Sequence, residues 1–278
     1  MKELKPNERI ERSINKKFRQ SIWRPFIEGI KRYELIKRGD SIAVCISGGK
    51  DSMLLAKLMQ ALHKHSEVPF MLNFIVMDPG YNEINRQKVI ANAATLAIPI
   101  SIFNSNIFET VTQTDRSPCY LCARMRRGFL YAHAKEIGCN KIALGHHLSD
   151  VLETTLMNMF YGSEFGTMMP KLKSQNYPGM QLIRPMYCIH EDAIIAWARY
   201  NGLSFIQCAC PLSESCNVLD ASGGASRRQE AKALLKQLRR DNKDVEKSIF
   251  QSLHRVNLET VLGYRQKGHE YSFLDMWE

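Results

Sequence analysis

The sequence predicts an α/β fold: an open, mostly parallel sheet with helices on both faces. Two observations predict it. From residue 41 onward, short apolar runs rich in β-branched residues alternate with stretches of helical apolar spacing, the pattern of parallel strands joined by crossover helices. One of these junctions, Ser41–Ser52, reads Ser-Ile-Ala-Val-Cys-Ile-Ser-Gly-Gly-Lys-Asp-Ser, a buried strand that ends in paired glycines and passes at once into a helix. The expected organisation is a basic N-terminal helical segment at 1–39, a sheet-containing core domain at 40–215 and a basic helical C-terminal segment at 216–278.

Residues 7–38 read as helical, because Ile10, Ile14, Phe18, Ile22 and Phe26 recur every four residues among lysines and arginines. Pro25 is expected to kink or split that segment. After Gly39-Asp40 comes the strand at 42–46, then a helix at 51–65. Phe70–Met77 is a second strand, with the turn Asp78-Pro79-Gly80-Tyr81 at its carboxyl end. A helix at 83–97 and a strand at 98–103 follow. Pro118 suits the first turn of a helix running to about Ile137. Lys141–Leu144 is a fourth strand, Gly145–Asp150 its carboxyl-end loop, and Val151–Tyr161 a helix. Residues 162–179 read as irregular. Gln181–Arg184 is a strand, Glu191–Asn201 a helix and Ser204–Gln207 a short strand. Residues 212–226 are loop, and the chain from Ser226 to about Tyr264 reads as a basic helical stretch broken near Asp241-Asn242. The apolar tail around Phe273 and Trp277 is available to the core or to a second subunit of a homodimer.

Composition narrows the function classes. Apolar residues make up 45% of 278, ample for a core, yet no stretch approaches the roughly 20 apolar residues that span a bilayer. The N-terminus lacks an apolar signal core, so a cytoplasmic protein with no membrane partner is expected. In that compartment the eight cysteines are core residues or metal ligands rather than a disulfide framework. The net charge of +10 is concentrated at the ends: residues 1–39 hold 12 Lys/Arg against 5 Glu, and residues 225–244 hold 7 against 3 acids. Basic ends around a nearly neutral middle suit a polyanionic partner, although solvated helix faces would give the same composition.

The chemistry-bearing residues lie at the strand ends. Adjacent glycines let backbone N–H groups approach an anion without a Cβ between them, and a following helix offers its unpaired N–H groups and positive dipole end. Ser47, Gly48, Gly49, Lys50, Asp51 and Ser52 therefore form a candidate pyrophosphate cradle. The spacing is not that of a Walker A loop. Asp78 and Gly145 lie at the carboxyl ends of neighbouring strands, where ligands bind in open α/β sheets. Asp150 suits a helix N-cap or first-turn acid. Cys119 and Cys122, three residues apart on one helix, suit a zinc half-site, a redox pair or a cluster half-site; Cys208 and Cys210 are the other close pair, so a four-thiolate zinc site is open.

Ser-Gly-Gly-Lys-Asp-Ser resembles the PP-loop of the ATP pyrophosphatases. Pro-Cys-Tyr-Leu-Cys-Ala-Arg-Met-Arg-Arg-Gly (118–128), Lys-Ile-Ala-Leu-Gly-His-His (141–147), Leu-Met-Asn-Met-Phe-Tyr-Gly (156–162), Met-Pro-Lys-Leu (169–172) and Ile-Arg-Pro-Met-Tyr-Cys (183–188) look like the tRNA 2-thiocytidine synthetase family, over roughly residues 10–215. The resemblance implies a PP-loop, HUP-like variant of the Rossmann-type sheet and ATP-dependent thiolation of a cytidine at position 32 of tRNA. It implies ATP and Mg²⁺ at the PP-loop with Lys50 and Asp150 as catalytic residues. It further implies a 4Fe–4S cluster on Cys119, Cys122 and Cys210, with Cys208 the alternative third ligand. Three thiolates leave one iron open to sulfide. The partners implied are tRNA and a sulfur donor such as a cysteine desulfurase or free sulfide. Two other readings share the PP-loop: 2-thiouridine formation, and an adenylating sulfur transferase acting on a small molecule. A third, an iron–sulfur sensor, would leave Ser-Gly-Gly-Lys-Asp-Ser without a purpose.

Overall fold

The computed structural model describes residues 4–105, 107, 118–206 and 227–277. The chain forms two compact units, Met1–Val151 with Met168–Gly224, and Leu152–Thr167 with Ala225–Glu278.

The first unit is built on a six-stranded sheet of order β3-β2-β1-β4-β6-β5. Its strands are β1 Ser41–Ile46, β2 Met71–Asp78, β3 Ile100–Asn104, β4 Lys141–Ala143, β5 Lys171–Lys173 and β6 Gln181–Ile183. All pairs are parallel except the edge strand β5, which runs antiparallel to β6. Central β1 is buried along its whole length, with Val44 registered against Phe74 on one side and Ala143 on the other. Its residues alternate between two cores. Ile42, Val44 and Ile46 pack with helices on one face, while Ala43 and Cys45 pack with Tyr131, Ala134 and Met180 on the other.

The helices of this unit are α1 Pro6–Asn15, α2 Arg24–Arg32, α3 Lys50–His65, α4 Glu83–Leu96, α5 Pro118–Glu136 and α7 Glu191–Tyr200, with the start of α6 Leu148–Tyr161. The expected break at Pro25 is resolved in a particular way. A strict four-residue apolar repeat drifts by about 40° per step around an α-helix, which would carry Phe26 off the face set by Ile10. A π-helical turn at Arg19–Trp23 lies between α1 and α2, and its wider turns counter that drift. Pro25 then falls in the first turn of α2, where its missing N–H costs no hydrogen bond. Ile10, Ile14, Phe18, Ile22 and Phe26 are all buried in one cluster.

Three elements differ from expectation. Lys171–Lys173, inside the stretch read as irregular, pairs with β6; Lys-Leu-Lys has too little apolar content to announce a strand, and the edge position tolerates that. Ser204–Ile206 carries no regular structure, and Gln207 lies outside the described residues. The C-terminal helix does not reach Tyr264. In the second unit α8 Arg227–Asp241 and α9 Val245–Ser252 are followed by a hairpin, β7 Gly263–Gln266 and β8 His269–Ser272. Its two-residue turn has positive φ at both Lys267 and Gly268, the primed geometry that matches strand twist. Tyr264 and Tyr271 stack across it, 4.8 Å between ring centres. Among the described residues no helix is long and apolar enough to cross a membrane.

At the amino ends of the strands, charge is buried and fully compensated. Lys141 Nζ donates to Asp40 Oδ2 at 2.6 Å and to the Leu35 carbonyl at 2.9 Å. Asp40 also accepts from Asn140 Nδ2 at 2.9 Å and from the Lys37 amide at 2.6 Å. Burial pushes the Asp40 pKa up, but the Lys141 ammonium and these donors outweigh it, and the carboxyl titrates below its usual range. The stabilisation is therefore complete above the unfolded carboxylate value of about 4 and disappears as pH falls through the lower folded value. Asp40→Asn, which strands Lys141 in the interior, is expected to lower stability at pH 7 by about 3 kcal/mol. In urea melts the gap between wild type and variant should narrow below about pH 4; a gap independent of pH would contradict this account.

Candidate functional site

The site grows from the junction of β1 and α3. Ser47 closes β1, and its amide and hydroxyl both donate to Ser52 Oγ, at 3.1 and 3.2 Å. Ser52 in turn donates to the Gly49 carbonyl at 3.0 Å. One hydroxyl thus ties the loop to the first turn of the helix. The two glycines are required for different reasons. Gly48 has φ +81°, and a Cβ there would meet side-chain carbons of Ile206 and Val89 at 2.6 Å. Gly49 has ordinary extended backbone, and a Cβ would meet only Ser47 Oγ at 3.7 Å and the Ile206 carbonyl at 3.8 Å. The protein's own packing therefore does not demand glycine at 49, whereas an anion seated on the loop amides would.

Gly145, which follows β4, is a second close approach. A Cβ on it would come within 3.0 Å of the Ser52 amide and 3.1 Å of the Asp51 carbonyl carbon. The strand order reverses between β1 and β4, so their carboxyl ends open a crevice. A cavity of about 570 Å³ lies there, within the range of small-molecule sites, lined by Ser47, Asp51, Ser52, Gly145, Asp150 and Arg184 among others.

Two acids of the lining have a buried imidazole as neighbour. Asp150, in the first turn of α6, accepts the His147 amide at 3.0 Å, so it is both the helix-capping acid and a cavity residue. Buried His147 accepts the Asp150 amide on Nδ1 at 3.4 Å, which leaves Nε2 as the N–H facing Asp51 Oδ1 at 3.7 Å. The ring thereby stands between Asp51 and Asp150, bonded to the second and not to the first, whose Oδ1 has no hydrogen-bond partner among the described residues.

Two expected residues are engaged by the protein's own groups. Lys50 is the first residue of α3, but its ammonium lies 3.0 Å from Glu191 Oε1 and 3.1 Å from Asp51 Oδ2. Burial lowers its pKa, and the two carboxylates more than reverse that, so Lys50 is held firmly as a cation. Asp78 spends its carboxylate on its own turn, accepting the Gly80 and Tyr81 amides at 2.9 and 2.7 Å and pairing with Arg86 at 3.4 Å. Its effect on the cavity runs through Pro79 and Tyr81, which line it; the Tyr81 hydroxyl donates to the Ser47 carbonyl at 3.2 Å.

The cavity lining is also basic. Arg126 and Arg127 of α5 line the cavity, and Cys119 and Cys122 stand on the first turns of the same helix. Cys208 and Cys210 lie outside the described residues. Burial raises the thiol pKa of Cys45 far above the ordinary range and that of Cys188 to about 11, so both remain protonated. Arg184 was not singled out as a site residue from sequence. It sits just past the carboxyl end of β6 and lines the cavity, and burial pulls its pKa down to about 10. Its sequence signal is a lone arginine ending an apolar strand and preceding a proline.

The PP-loop domain family model matches residues 7–213. The chain is 34% identical over 227 residues to the tRNA-cytidine(32) 2-sulfurtransferase of Geobacter metallireducens, covering 81% of this chain and 85% of that one. It is 34% identical over 242 residues to the enzyme of the same name from Geotalea uraniireducens, covering 86% and 92%. Among solved structures, the U34-tRNA thiolase NcsA of Methanococcus maripaludis, solved with its 4Fe–4S cluster, superposes with a TM-score of 0.65 at 22% identity, over 88% of this chain and 80% of that one. That likeness establishes the sheet and its helices.

The two glycines should separate in experiment. Gly48→Ala is expected to destabilise the first unit by at least about 2 kcal/mol, from the left-handed backbone and the 2.6 Å contacts. Gly49→Ala should cost no more than about 1 kcal/mol and should instead weaken pyrophosphate binding. Chemical denaturation and calorimetric titration of each variant test both; equal destabilisation would refute the distinction.

Proposed function

We propose, from the premise that the chain belongs to the PP-loop domain family, that it is an ATP-dependent tRNA sulfurtransferase that replaces the C2 oxygen of cytidine 32 with sulfur. The observation that carries the reading is a cavity lined by Ser47, Asp51, Ser52, Gly145, Asp150 and three arginines, in a chain one-third identical over four-fifths of its length to tRNA-cytidine(32) 2-sulfurtransferases.

The C2 oxygen of a cytosine is a poor leaving group, so it must be activated. Attack of that oxygen on the α-phosphorus of ATP forms an adenylate and releases pyrophosphate. Sulfur then adds at C2, and AMP departs with the oxygen. The residues divide this work. The loop amides and the dipole of α3 hold the departing pyrophosphate, and Lys50 supplies a fixed positive charge beside it. Mg²⁺ suits the carboxylates of Asp51 and Asp150, the hard oxygen ligands of the cavity wall, together with ATP phosphates. The His147 amide fixes the Asp150 carboxylate. The target base must leave its stack to reach the cavity, which an anticodon loop permits. The basic segments at 1–39 and 225–244 suit tRNA phosphates.

Cys119, Cys122 and Cys210 would hold a 4Fe–4S cluster. Two of these positions stand one turn apart on the helix whose later residues line the cavity, which suits a shared cluster site near it. Such a cluster, with one iron free of protein ligands, supplies a place to carry sulfide; a cysteine desulfurase or free sulfide would be the source.

The decisive experiment is nucleoside analysis of tRNA from a strain lacking 2-thiocytidine and complemented with this chain. Appearance of 2-thiocytidine supports the reading; 2-thiouridine, or no thionucleoside, overturns it. Lys50→Ala is expected to lower thiolation by about 10²-fold or more with iron and sulfide content unchanged after anaerobic purification. Cys119→Ala, Cys122→Ala and Cys210→Ala should lose thiolation and iron while ATP binding persists. A fully active Cys210→Ala beside an inactive Cys208→Ala would reassign the third ligand.

A further inference from the structure

Arg184 is 6% exposed, and its guanidinium is incompletely compensated. One Nη donates to the Met169 carbonyl, a neutral acceptor. The Nε–H is buried with no hydrogen-bond partner, and Arg184 makes no ion pair among the described residues. The Asp150 carboxylate favours the charged form of Arg184 only through space, opposed by the Arg127 guanidinium, and a buried guanidinium with no carboxylate in contact is costly, because breaking a buried ion pair by removing one partner costs several kcal/mol. Even with its pKa drawn down to about 10, Arg184 is cationic at neutral pH. A permanently charged planar donor in a cavity wall is suited to a phosphoryl group, which it can grip with two parallel N–H donors.

The cavity offers two phosphoryl sources: the nucleotide and the backbone of the target polynucleotide. Burial decides between them. Arg124 and Arg127 on α5 are exposed and can meet a polyanion at the cavity rim, whereas Arg184 is accessible only to a group that enters the cavity. The pyrophosphate has its own cradle at Ser47–Ser52. We propose that Arg184 binds the α-phosphoryl group of the nucleotide and holds it as pyrophosphate leaves and as AMP becomes the second leaving group. This deepens the ATP-dependent reading and rests on it. The bond to the pyrophosphate oxygen breaks as the bond to the C2 oxygen forms, and Arg184 offsets the charge that stays on the α-phosphoryl oxygens throughout.

The test is calorimetric titration of the full-length protein with AMP and, separately, with Mg²⁺–pyrophosphate, for wild type, R184Q and R184K. R184Q is expected to weaken AMP by about tenfold or more while changing pyrophosphate by less than about twofold. R184K, which keeps the charge but loses the planar fork, should fall between on AMP. AMP affinity of R184Q within about twofold of wild type, or equal losses on both ligands, would overturn the assignment. A gel shift with tRNA in the absence of nucleotide supplies the other arm. A tenfold loss there with AMP unaffected would move Arg184 to the polynucleotide phosphate and likewise overturn it. If R184Q does not unfold cooperatively, R184K decides: loss on AMP alone supports the proposal, and no loss refutes it. A wild-type protein that bound neither AMP nor ATP would instead defeat the ATP-dependent reading itself.

Discussion

The site depends on α3 being apolar on nearly every side. Met53 to Met59 are buried without exception, Lys57 included, so the middle of the helix has no face to turn to solvent and its axis is fixed by its surroundings. That fixes where its N-terminus points. The unpaired amides of the first turn emerge beside the carboxyl end of β1, at the reversal of strand order, and an anion is drawn to them by geometry and dipole together. The contact of Gly145 with the Ser52 amide then brings the β4 loop, and with it His147 and Asp150, against the same turn.

This arrangement gives one crevice two electrostatic characters. Asp51 and Asp150 bring hard oxygens to its lining, and Arg126, Arg127 and Arg184 bring cationic donors. Hard oxygens and donors in one crevice suit a phosphate ligand accompanied by a cation. The Lys50–Glu191 pair belongs to the same balance: it keeps the lysine charged inside a half-buried loop and attaches the PP-loop to α7.

Much of this was legible in the sequence, for identifiable reasons. β1, α3 and their glycine turn announce themselves because a buried parallel strand and a buried helix leave apolar patterns with distinct periods. Asp150 and Gly145 could be placed because each stands just after a strand. What could not be read was the use of each polar atom. Asp78 occupies the expected position, yet its carboxylate is consumed by the turn that positions it. The β5 strand was hidden because an edge strand of Lys-Leu-Lys carries almost no periodic signal, and the C-terminal hairpin because its turn is Lys267-Gly268 rather than Asn-Gly. Arg184 was passed over because burial of a single cation is a property of three-dimensional packing.

The buried cations Lys57, Lys141 and Arg184 are not treated alike. Lys141 is met by Asp40 at 2.6 Å and by a carbonyl. Lys57 is met by Glu11 at 3.1 Å and by the Leu96 carbonyl at 3.2 Å. Both lie away from the cavity, and each has an anion at hand. Arg184 is likewise buried, but its side-chain hydrogen bond goes to the Met169 carbonyl, and Asp150 acts on it only through space, opposed by Arg127. A fold that puts a carboxylate in contact with Lys57 and Lys141 and none in contact with Arg184 departs locally from that pattern, and such departures concentrate where a ligand completes the structure. The missing anion has to be small enough to enter a cavity of about 570 Å³ and negative enough to offset a guanidinium at neutral pH, and a nucleotide phosphoryl group meets both conditions.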